Sequence, residues 1–387
     1  MNSYHADFHV HIGRSLGKPV KIAAGSKLTL DNLLYHSAFV KGLDVVTVID
    51  GVCDNVLTEV KQKMDQGDLI PVNGGGLMYR DRLLVILGSE IELAGPHGGA
   101  AHFGCWFPDV ESASDFNTWL QTVQKNTSLS SQRARTDAAT LLEETHTRGG
   151  LFVIHHAFTP FKGILGRCVS RIEDFLDPAL VDALELGLSA DTLMADRLSE
   201  LANFTFITNS DAHGLDNIAR EYNRISMKRP SFNEVRAVLH SVNGRRVEAN
   251  YGLHPQQGKY YRTRCRHCDT VVSSADDTCL CGNDKGHVYG VWDRLEEISD
   301  LAAAVHPKHR PPYIHHVPLR DIPGLGPRGY QKLMAAFGTE LAVRQRATHS
   351  QLTDVLGEHM GQIVARALQG DFTWQVGGAG TYGKLVM

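Results

Sequence analysis

Short apolar runs alternate with amphipathic stretches along residues 1–255. The apolar runs predict strands, and they read DFHVHI, LDVVTVID, RLLVILGSEIEL, GLFVIHH, LVDALELG, FTFITNSD and RRVEAN. Between them lie segments with helical periodicity, among them LDNLLYHSAFVKGL, DNVLTEVKQKMDQ and RTDAATLLEETHTR. Continuous apolar strands that alternate with helices predict an α/β fold, in which a parallel sheet is covered on both faces or closed into a barrel.

Polar residues stand at the ends of these predicted strands. In a parallel barrel the C-terminal ends of the strands meet on one rim, where active sites of this architecture lie. His9 and His11 are two residues apart on a strand and therefore share a face. The cluster is too dense for one ion, and its residue types are those that bind Zn, Mn or Fe. The predicted ligands are His9, His11, Asp50, Glu90, His102, His155, His156, Asp211 and His213.

Each position has a simpler interpretation when taken alone. A single histidine beside an apolar run is more often a core or surface residue than a ligand. Asp50 follows a strand and precedes a predicted helix, so it could cap that helix instead. The agreement among several strand ends, rather than any one residue, favours the metal site.

The ligand pattern resembles the polymerase and histidinol phosphatase (PHP) family. This resemblance implies a distorted TIM-like (β/α)7 barrel with two or three divalent ions, for which Zn, Mn and Mg are candidates. It implies that His9, His11, Glu90 and Asp211 hold one ion. It also implies that Glu90 bridges to a second ion held by His102 and His156, with His213 completing the set. The second motif of the family is Asp followed by His, whereas Gly51 follows Asp50 here, so one ligand is missing at the third metal position.

A more specific resemblance extends over most of residues 1–255. HAFTPFKGI from His156, ALELGLSADTLMADRLSEL from Ala183 and ITNSDAHGL from Ile207 resemble the endonuclease Q branch of the PHP family. This resemblance implies an endonuclease that cuts DNA on the 5′ side of a deaminated base (uracil, hypoxanthine or xanthine) or an abasic site. It favours His156 over His155 as the ligand, although a shift of one residue reverses that assignment.

Four of the seven cysteines lie close together in the sequence CRHCDTVVSSADDTCLCG. Their spacing predicts one structural zinc ion that stabilises a module too small to fold alone. The second pair is closer in sequence than is usual, so His267 or His287 could replace one cysteine. The predicted zinc ligands are Cys265, Cys268, Cys279 and Cys281.

The segment DIPGLGPRGYQKLMAAF predicts a tight turn followed by a helix from about Gly329. Such a turn presents backbone amides at a helix N-terminus to a phosphate. A weaker copy, VLGEHMGQIVARAL, follows, and together the two segments resemble the helix-hairpin-helix modules of repair nucleases. An ordinary helical hairpin is the alternative. The predicted DNA-binding residues are Gly324, Gly326, Arg328 and Lys332, with Tyr382 and Lys384 in a Gly-rich tail that resembles the closing loop of endonuclease Q.

Composition limits the remaining possibilities. The chain has 387 residues and a net charge of −4, so it is not a basic nucleic-acid-binding protein as a whole. Residues 254–346 carry 13 Lys and Arg against 10 Asp and Glu, which permits a polyanionic partner. No apolar run reaches the roughly 18 residues of a membrane span. Clustered cysteines and no secretory pattern in MNSYHADF predict a cytoplasmic protein without a membrane partner.

We therefore predict three units: a PHP barrel (1–255), a zinc module (256–300) and a mostly helical DNA-binding domain with a Gly-rich tail (301–387). The predicted function is a metal-dependent DNA repair endonuclease whose partner is DNA with damaged bases, together with replication or repair proteins. A small-molecule phosphatase of the histidinol phosphatase type is an alternative, but it leaves the zinc and hairpin modules without a role. A non-catalytic DNA-binding scaffold is another, and the nearly complete ligand set argues against it.

Overall fold

The computed structural model describes residues 1–272, 278–283, 286–377 and 382–386. Within them the strands are β1 (Asn2–Val10), β2 (Arg14–Ser15), β3 (Lys18–Pro19), β4 (Val45–Val48), β5 (Leu69–Pro71), β6 (Leu77–Tyr79), β7 (Leu83–Ala94), β8 (Ala100–Phe107), β9 (Leu151–Ile154), β10 (Ala183–Glu185), β11 (Phe206–Ile207), β12 (Tyr222–Met227), β13 (Arg246–Gly252), β14 (Arg264–Cys265), β15 (His287–Val288), β16 (Tyr313–His315), β17 (Thr373–Gln375) and β18 (Lys384–Val386). The α-helices are α1 (Leu30–Tyr35), α2 (Asp54–Asp65), α3 (Val110–Val123), α4 (Ala138–Thr147), α5 (Thr192–Ala195), α6 (Phe232–Leu239), α7 (Val291–Ile298), α8 (Pro327–Phe337), α9 (Glu340–Arg346), α10 (His349–Leu356) and α11 (Glu358–Gln369).

One curled sheet of 12 strands organises the chain. Its order is β11-β10-β9-β8-β7-β4-β1-β12-β13-β16, with β5 and β6 attached beside β7. The sheet returns towards its own start, because Ala212, beyond β11, pairs in parallel with Val10 at the end of β1. The predicted α/β class is confirmed as a distorted, partly closed barrel, followed by a cysteine cluster and a group of helices.

The sheet is mixed, whereas the strand–helix alternation predicts parallel strands. β8 runs antiparallel to both β7 and β9. Only residues 95–99 separate β7 from β8. A connection this short cannot hold a crossover helix, so β8 has to return antiparallel to β7. Its first residues therefore lie at the rim that the last residues of β7 reach, and Glu92 is paired with His102.

Inward-facing positions change from apolar to metal-binding residue types along the barrel strands. Leu84 and Ile86 on β7 belong to an apolar cluster that also contains Trp106 of β8. Because alternate residues of a strand share a face, Glu90 lies on the same face as Leu84 and Ile86, towards the other end of β7. On β8 the order is reversed, with His102 before Trp106. The apolar cluster therefore supports the polar rim from below.

The C-terminal part of the chain is joined to this barrel in two ways. The apolar side of α7 belongs to the larger barrel core, and β16 extends the main sheet by pairing with β13. Helices α8 to α11 enclose a separate core that includes Leu333, Val343 and Val364. The predicted boundaries at residues 255 and 300 stay predictions.

Across the described residues, none of the helices combines the length and apolar character needed to span a membrane.

Candidate metal centre

Seven stretches of the chain deliver imidazoles and carboxylates to one rim of the barrel. Every one of these side chains except those of Asp211 and His213 comes from a residue that is at least nine-tenths buried. The structure brings together four overlapping groups whose nitrogen and oxygen atoms lie within 4.8 Å of one another. These groups are His9–His11–Glu90, His9–His155–Glu185, His11–Asp211–His213 and Glu90–His102–His156.

The His9 and His11 rings direct their Nε2 atoms towards each other, an orientation that suits a cation. Nδ1 of His9 lies 2.9 Å from Oε2 of Glu185, and Nδ1 of His11 lies 3.1 and 3.2 Å from the two oxygens of Asp50. A carboxylate only accepts hydrogen bonds, so both Nδ1 atoms carry the proton. The two Nε2 atoms are 3.3 Å apart. Burial alone lowers the pKa of both rings, but the neighbouring carboxylates hold it above the usual range. A divalent ion at this position would displace the Nε2 protons and bind both nitrogens.

Glu90 lies between two pairs of histidines. Its Oε1 is 3.3 Å from Nε2 of His9, 3.0 Å from Nδ1 of His102 and 3.3 Å from Nε2 of His156. Its Oε2 is 3.0 Å from the Nζ of Lys21. Burial alone raises the pKa of Glu90, but the charges of His102 and Lys21 outweigh it and hold that pKa well below the usual range. The carboxylate is therefore ionised and shared by two groups of possible ligands.

Several buried polar atoms at the rim have no hydrogen-bond partner among the described residues. Buried polar groups in folded proteins are nearly always paired, so such a concentration needs an explanation. Both ring nitrogens of His102 are close to carboxylates but outside hydrogen-bonding geometry. The donor set fits divalent metal ions, which coordinate these atoms directly. The unpaired atoms at the rim are Nδ1 and Nε2 of His102, Nε2 of His155, Nδ1 of His156 and Oε1 of Glu185.

Asp211 and His213 approach the same rim from the segment after β11. Oδ1 of Asp211 lies 3.3 Å from Nε2 of His11 and 3.6 Å from Nε2 of His9. Burial alone raises the pKa of Asp211, but a hydrogen bond from His11 and the charge of His9 keep it well below the usual range. Asp211 has φ = +45° and His156 has φ = +28°. Residues other than glycine adopt such φ angles at a cost in energy, and backbone strain of this kind is typical of functional sites.

His155 and His156 both reach Glu90. Nδ1 of His155 is 3.4 Å from Oε1 of Glu90, nearly as close as Nε2 of His156. The His155 ring lies over Gly104, where a Cβ atom would come within 2.1 Å of its Nε2, so β8 needs glycine at this position. Burial and the charge of His9 lower the pKa of His155 to about 4, which keeps the ring neutral. The sequence left open whether His155 or His156 is the ligand. In the structure each of them belongs to a different group of possible ligands.

Two rim residues were missed by the sequence analysis. Glu185 lies within the run LVDALELG and is the last residue of β10, so it has the same pattern of apolar strand and terminal carboxylate that identified Asp50. Lys21 contacts Glu90 and lies in a loop, where no pattern in the sequence distinguishes it from other lysines. Asp50, a predicted ligand, lies beside His11 and also accepts the backbone N–H of Ile12 at 2.7 Å.

The four predicted zinc ligands also come together. Cys265, Cys268, Cys279 and Cys281 form one group within 4.8 Å. The sulfurs of Cys268 and Cys279 are 3.4 Å apart, and those of Cys265 and Cys281 are 3.8 Å apart. A hydrogen bond from Asn283 lowers the pKa of the Cys265 thiol to about 5, which favours the thiolate that a metal binds.

The predicted DNA-binding residues lie around the first turn of α8 and near the C-terminus. Gly324 has φ = +81°, and Gly326 is the N-cap of α8. The helix begins at Pro327, two residues before the predicted start. Arg328 and Lys332 are exposed on this helix. The hydroxyl of Tyr382 accepts a hydrogen bond from Arg220, and the side chain of Lys384 lies outside the described residues.

A curled α/β barrel with histidines and carboxylates on one rim defines the class of the protein as a PHP-type metal-site barrel. The chain is 39% identical over 389 residues to the uncharacterized protein YqxK of Bacillus subtilis, with both chains covered in full, and belongs to the same family. It is also 31% identical over 260 residues to MJ0043 of Methanocaldococcus jannaschii, covering 60% of this chain and 31% of that one. No protein-family model matches the chain.

Solved structures of endonuclease Q match the whole chain. The lesion-specific endonuclease PfuEndoQ from Pyrococcus furiosus superposes with a TM-score of 0.85 at 25% identity, covering 100% of this chain and 96% of that one. An endonuclease Q complex with a 27-mer duplex carrying an abasic lesion at its active site gives a TM-score of 0.84 at 25% identity, covering 100% and 97%. The resemblance to endonuclease Q is therefore confirmed at the level of the full-length structure.

Proposed function

We propose that this protein is a metal-dependent endonuclease that cuts DNA on the 5′ side of a deaminated base or an abasic site. The observation that carries this proposal is the position of Glu90, whose carboxylate is shared by two pairs of histidines at the rim. The full-length likeness to endonuclease Q, in which one complex holds a duplex with an abasic lesion, supports DNA as the substrate. Cleavage beside deaminated bases is the more specific part of the proposal.

We propose that two or three divalent ions, Zn, Mn or Mg, bind at this rim. His9, His11 and Glu90 would hold one ion, and Glu90, His102 and His156 a second. Asp211 and His213, with His11, would complete the set, while His155 and Glu185 support His9. When bound, such ions activate water and neutralise charge on the phosphate that is cut.

The residues around these ligands set their protonation and orientation. Glu185 accepts the Nδ1 proton of His9, and Asp50 accepts that of His11, so that both Nε2 atoms point to the rim. Carboxylates that orient ligand histidines in this way raise their affinity for metals. We therefore propose that Asp50 acts through His11 rather than as a ligand. Lys21 keeps Glu90 ionised and adds a positive charge at the edge of the site.

A cavity of ≈ 410 Å³ opens beside the proposed ligands. Its lining includes the rim residues His156, Glu185 and Asp211 together with Leu188 and Tyr260. Pockets of this size hold small organic ligands. An enzyme that acts at a base must bring it out of the helix, and a damaged base costs less to extrude. We propose that this cavity receives the extruded nucleotide.

The remaining modules support binding to the duplex. The N-terminal turn of α8, with Gly324 and Gly326, would present backbone amides to a phosphate without reading bases. Arg328 and Lys332 would add positive charge on the same helix. The cysteine group would hold one structural zinc ion that fixes the segment between the barrel and these helices. Replication or repair proteins as further partners, and a cytoplasmic location, stay predictions.

Labelled duplexes with one uracil, one hypoxanthine, one abasic site or no lesion test the proposal in the presence of Mg²⁺ or Mn²⁺. A single nick on the 5′ side of the lesion is the expected result. Uniform degradation would indicate a general nuclease instead. Turnover of p-nitrophenyl phosphate without any cleavage of DNA would favour a small-molecule phosphatase.

The variant Asp211→Ala connects the cleavage to the rim. Removing this carboxylate should abolish cleavage and leave the affinity for the lesion duplex nearly unchanged, because Asp211 lies in the metal group and not on α8. Asp174→Ala, which removes an exposed carboxylate, is the matched control and should behave as the wild type. Loss of DNA binding in the Asp211 variant would mean that this residue maintains the fold.

A further inference from the structure

One arginine, Arg220, makes side-chain hydrogen bonds to the backbone of the segment that carries Asp211 and His213. Arg220 donates from Nε to the carbonyl of Ser210 at 2.8 Å and from Nη2 to the carbonyl of Asp211 at 3.4 Å. The third nitrogen, Nη1, donates to the hydroxyl of Tyr382 at 2.9 Å. Arg220 therefore joins the backbone of a proposed ligand to a residue more than one hundred and sixty positions further along the chain.

The backbone at Asp211 needs this support. Its φ of +45° is a left-handed conformation that residues with a Cβ rarely adopt. Conformations of this kind persist only where the surroundings hold them. The carbonyl of Asp211 lies 2.9 Å from Nδ1 of His213 in addition to its contact with Arg220. Together with the backbone hydrogen bonds between Ala212 and β1, the hydrogen bonds from Arg220 thus keep the Asp211 carboxylate directed at His11.

Tyr382 is itself anchored to the barrel side of the molecule. The N–H of Gly383, the next residue, donates to the carbonyl of Gln257 at 2.9 Å. Beyond the end of β17, which pairs with β18, the N–H of Gly377 donates to the carbonyl of Gln256 at 2.7 Å. The Nζ of Lys259 lies 4.6 Å from the centre of the Tyr382 ring, where its charge attracts the ring face. The hydroxyl is therefore placed beside Arg220 by contacts independent of the metal ligands.

A second connection joins the same segment to the helical part of the chain. The Nζ of Lys41, a side chain that is only 3% exposed, donates to the carbonyl of Asp216 at 2.7 Å and to Oε1 of Glu340 at 2.8 Å. Glu340 is the first residue of α9. Asp216 also pairs with Arg320 at 2.9 Å. The stretch from 210 to 220 is thus connected to C-terminal elements at two points, Asp216 and Arg220.

We infer that Arg220 and Tyr382 are positioning residues of the metal centre. Arg220 holds the backbone of Asp211 so that its carboxylate can bind a divalent ion, and Tyr382 holds Arg220. The C-terminal segment is therefore part of the metal site, although it supplies no ligand. This inference rests on the proposed metal-dependent function, and it predicts changes in metal affinity before any change in DNA affinity.

Calorimetric titration of the full-length, chelator-treated chain with Mn²⁺ tests the inference without DNA. Arg220→Lys keeps the charge but loses the planar contacts, and we expect affinity for Mn²⁺ to fall about 10–100-fold, as for other residues that orient ligands. Tyr382→Phe removes one hydroxyl and should weaken it about 2–10-fold, the range of one hydrogen bond. Matched controls are Arg229→Lys and Tyr35→Phe, which change exposed residues of the same types.

The double variant Arg220→Lys with Tyr382→Phe separates a shared role from two independent ones. If Tyr382 acts through Arg220, the double variant should bind Mn²⁺ as weakly as Arg220→Lys alone, because the two effects are then not additive. Fully additive losses would overturn the connection between the two residues. Unchanged Mn²⁺ affinity in folded single variants, judged by circular dichroism, would overturn the whole inference.

The readout also separates this inference from the proposed function. If the wild type binds Mn²⁺ and the variants bind it more weakly, the positioning role stands even when no lesion duplex is cut. If the wild type cuts at lesions and the variants bind Mn²⁺ normally, the function stands and the positioning role fails.

Discussion

The two candidate metal clusters of this chain are built in opposite ways. The barrel cluster takes residues from positions 9 to 213, nearly all buried, and the rings of His9 and His11 are oriented by Glu185 and Asp50. The cysteine cluster takes all its residues from positions 265 to 281, and Cys268 and Cys281 are exposed. A site built from distant strands is held by the whole core. A site built from one short segment has to supply its own rigidity, which a bound zinc ion provides.

The two clusters should respond differently to the loss of one ligand. In the barrel, loss of one shared ligand disturbs several groups at once, because Glu90 belongs to two of them and His11 to two. In the cysteine cluster, loss of one ligand disturbs only a local module with a very small core of Cys265, Val272 and Cys279. Variants of the two clusters should therefore differ in how far their effects spread.

Glu90→Gln should have the largest effect. It keeps the size of the side chain but removes the charge that two pairs of histidines share, so cleavage should fall by about 10³-fold or more. The measurement is single-turnover cleavage of a lesion duplex, with Glu111→Gln, an exposed residue on α3, as the control. A decrease below about tenfold would show that Glu90 is not shared between ions.

Asp50→Asn should have a smaller effect, because Asp50 contacts His11 and not the rim itself. Loss of the charge that orients His11 should lower affinity for Mn²⁺ by about 10–100-fold. Calorimetric titration measures this change, with Asp65→Asn on the exposed side of α2 as the control. An effect as large as that of Glu90→Gln would instead make Asp50 a direct ligand.

The barrel interior also predicts how stability depends on pH. Burial raises the pKa of Glu221, the residue before β12, to about 8, and its Oε1 accepts the N–H of Leu253. A raised pKa in the folded state gives stability that is complete below the unfolded pKa and is lost as pH rises through about 8. Between these values Glu221 should lower the free energy of unfolding by about 1.4 kcal/mol per pH unit.

Urea denaturation between pH 5 and pH 9 measures that slope. Glu221→Gln removes the titrating group. The free energy of unfolding of this variant should therefore depend less steeply on pH than that of the wild type, by the contribution of one proton. The histidines titrate in both proteins and cancel in the difference. Identical slopes would mean that Glu221 is ionised in the folded protein.

Cys265→Ser should have the smallest effect on the reaction. The chain should lose one equivalent of zinc by elemental analysis and become sensitive to protease near residues 265–283. Affinity of the barrel for Mn²⁺ should stay the same, and cleavage at saturating DNA should change less than about 3-fold, because the two clusters share no partner. A large loss of Mn²⁺ affinity would show that the two clusters depend on each other.

The sequence predicted most of the rim residues because the strands that carry them have a recognisable apolar pattern. An apolar run that ends in His or Asp is visible at His9, Asp50, His156 and Asp211, and barrel topology brings such ends together. The same reasoning did not identify Glu185, although that residue is also the last of an apolar strand. Lys21 lies in a loop, and its contact with Glu90 depends on how that loop folds over the rim.

Local spacing predicted the cysteine cluster, the turn before α8 and an α/β sheet with polar residues at its strand ends, because each depends on residues close together in the chain or on strand periodicity. Only the tertiary structure decided that β8 runs antiparallel, that Asp50 faces His11, and that Arg220 joins Asp211 to Tyr382. Those features depend on connection length and on contacts between residues far apart in sequence. A one-dimensional pattern does not record the distances at which such side chains meet.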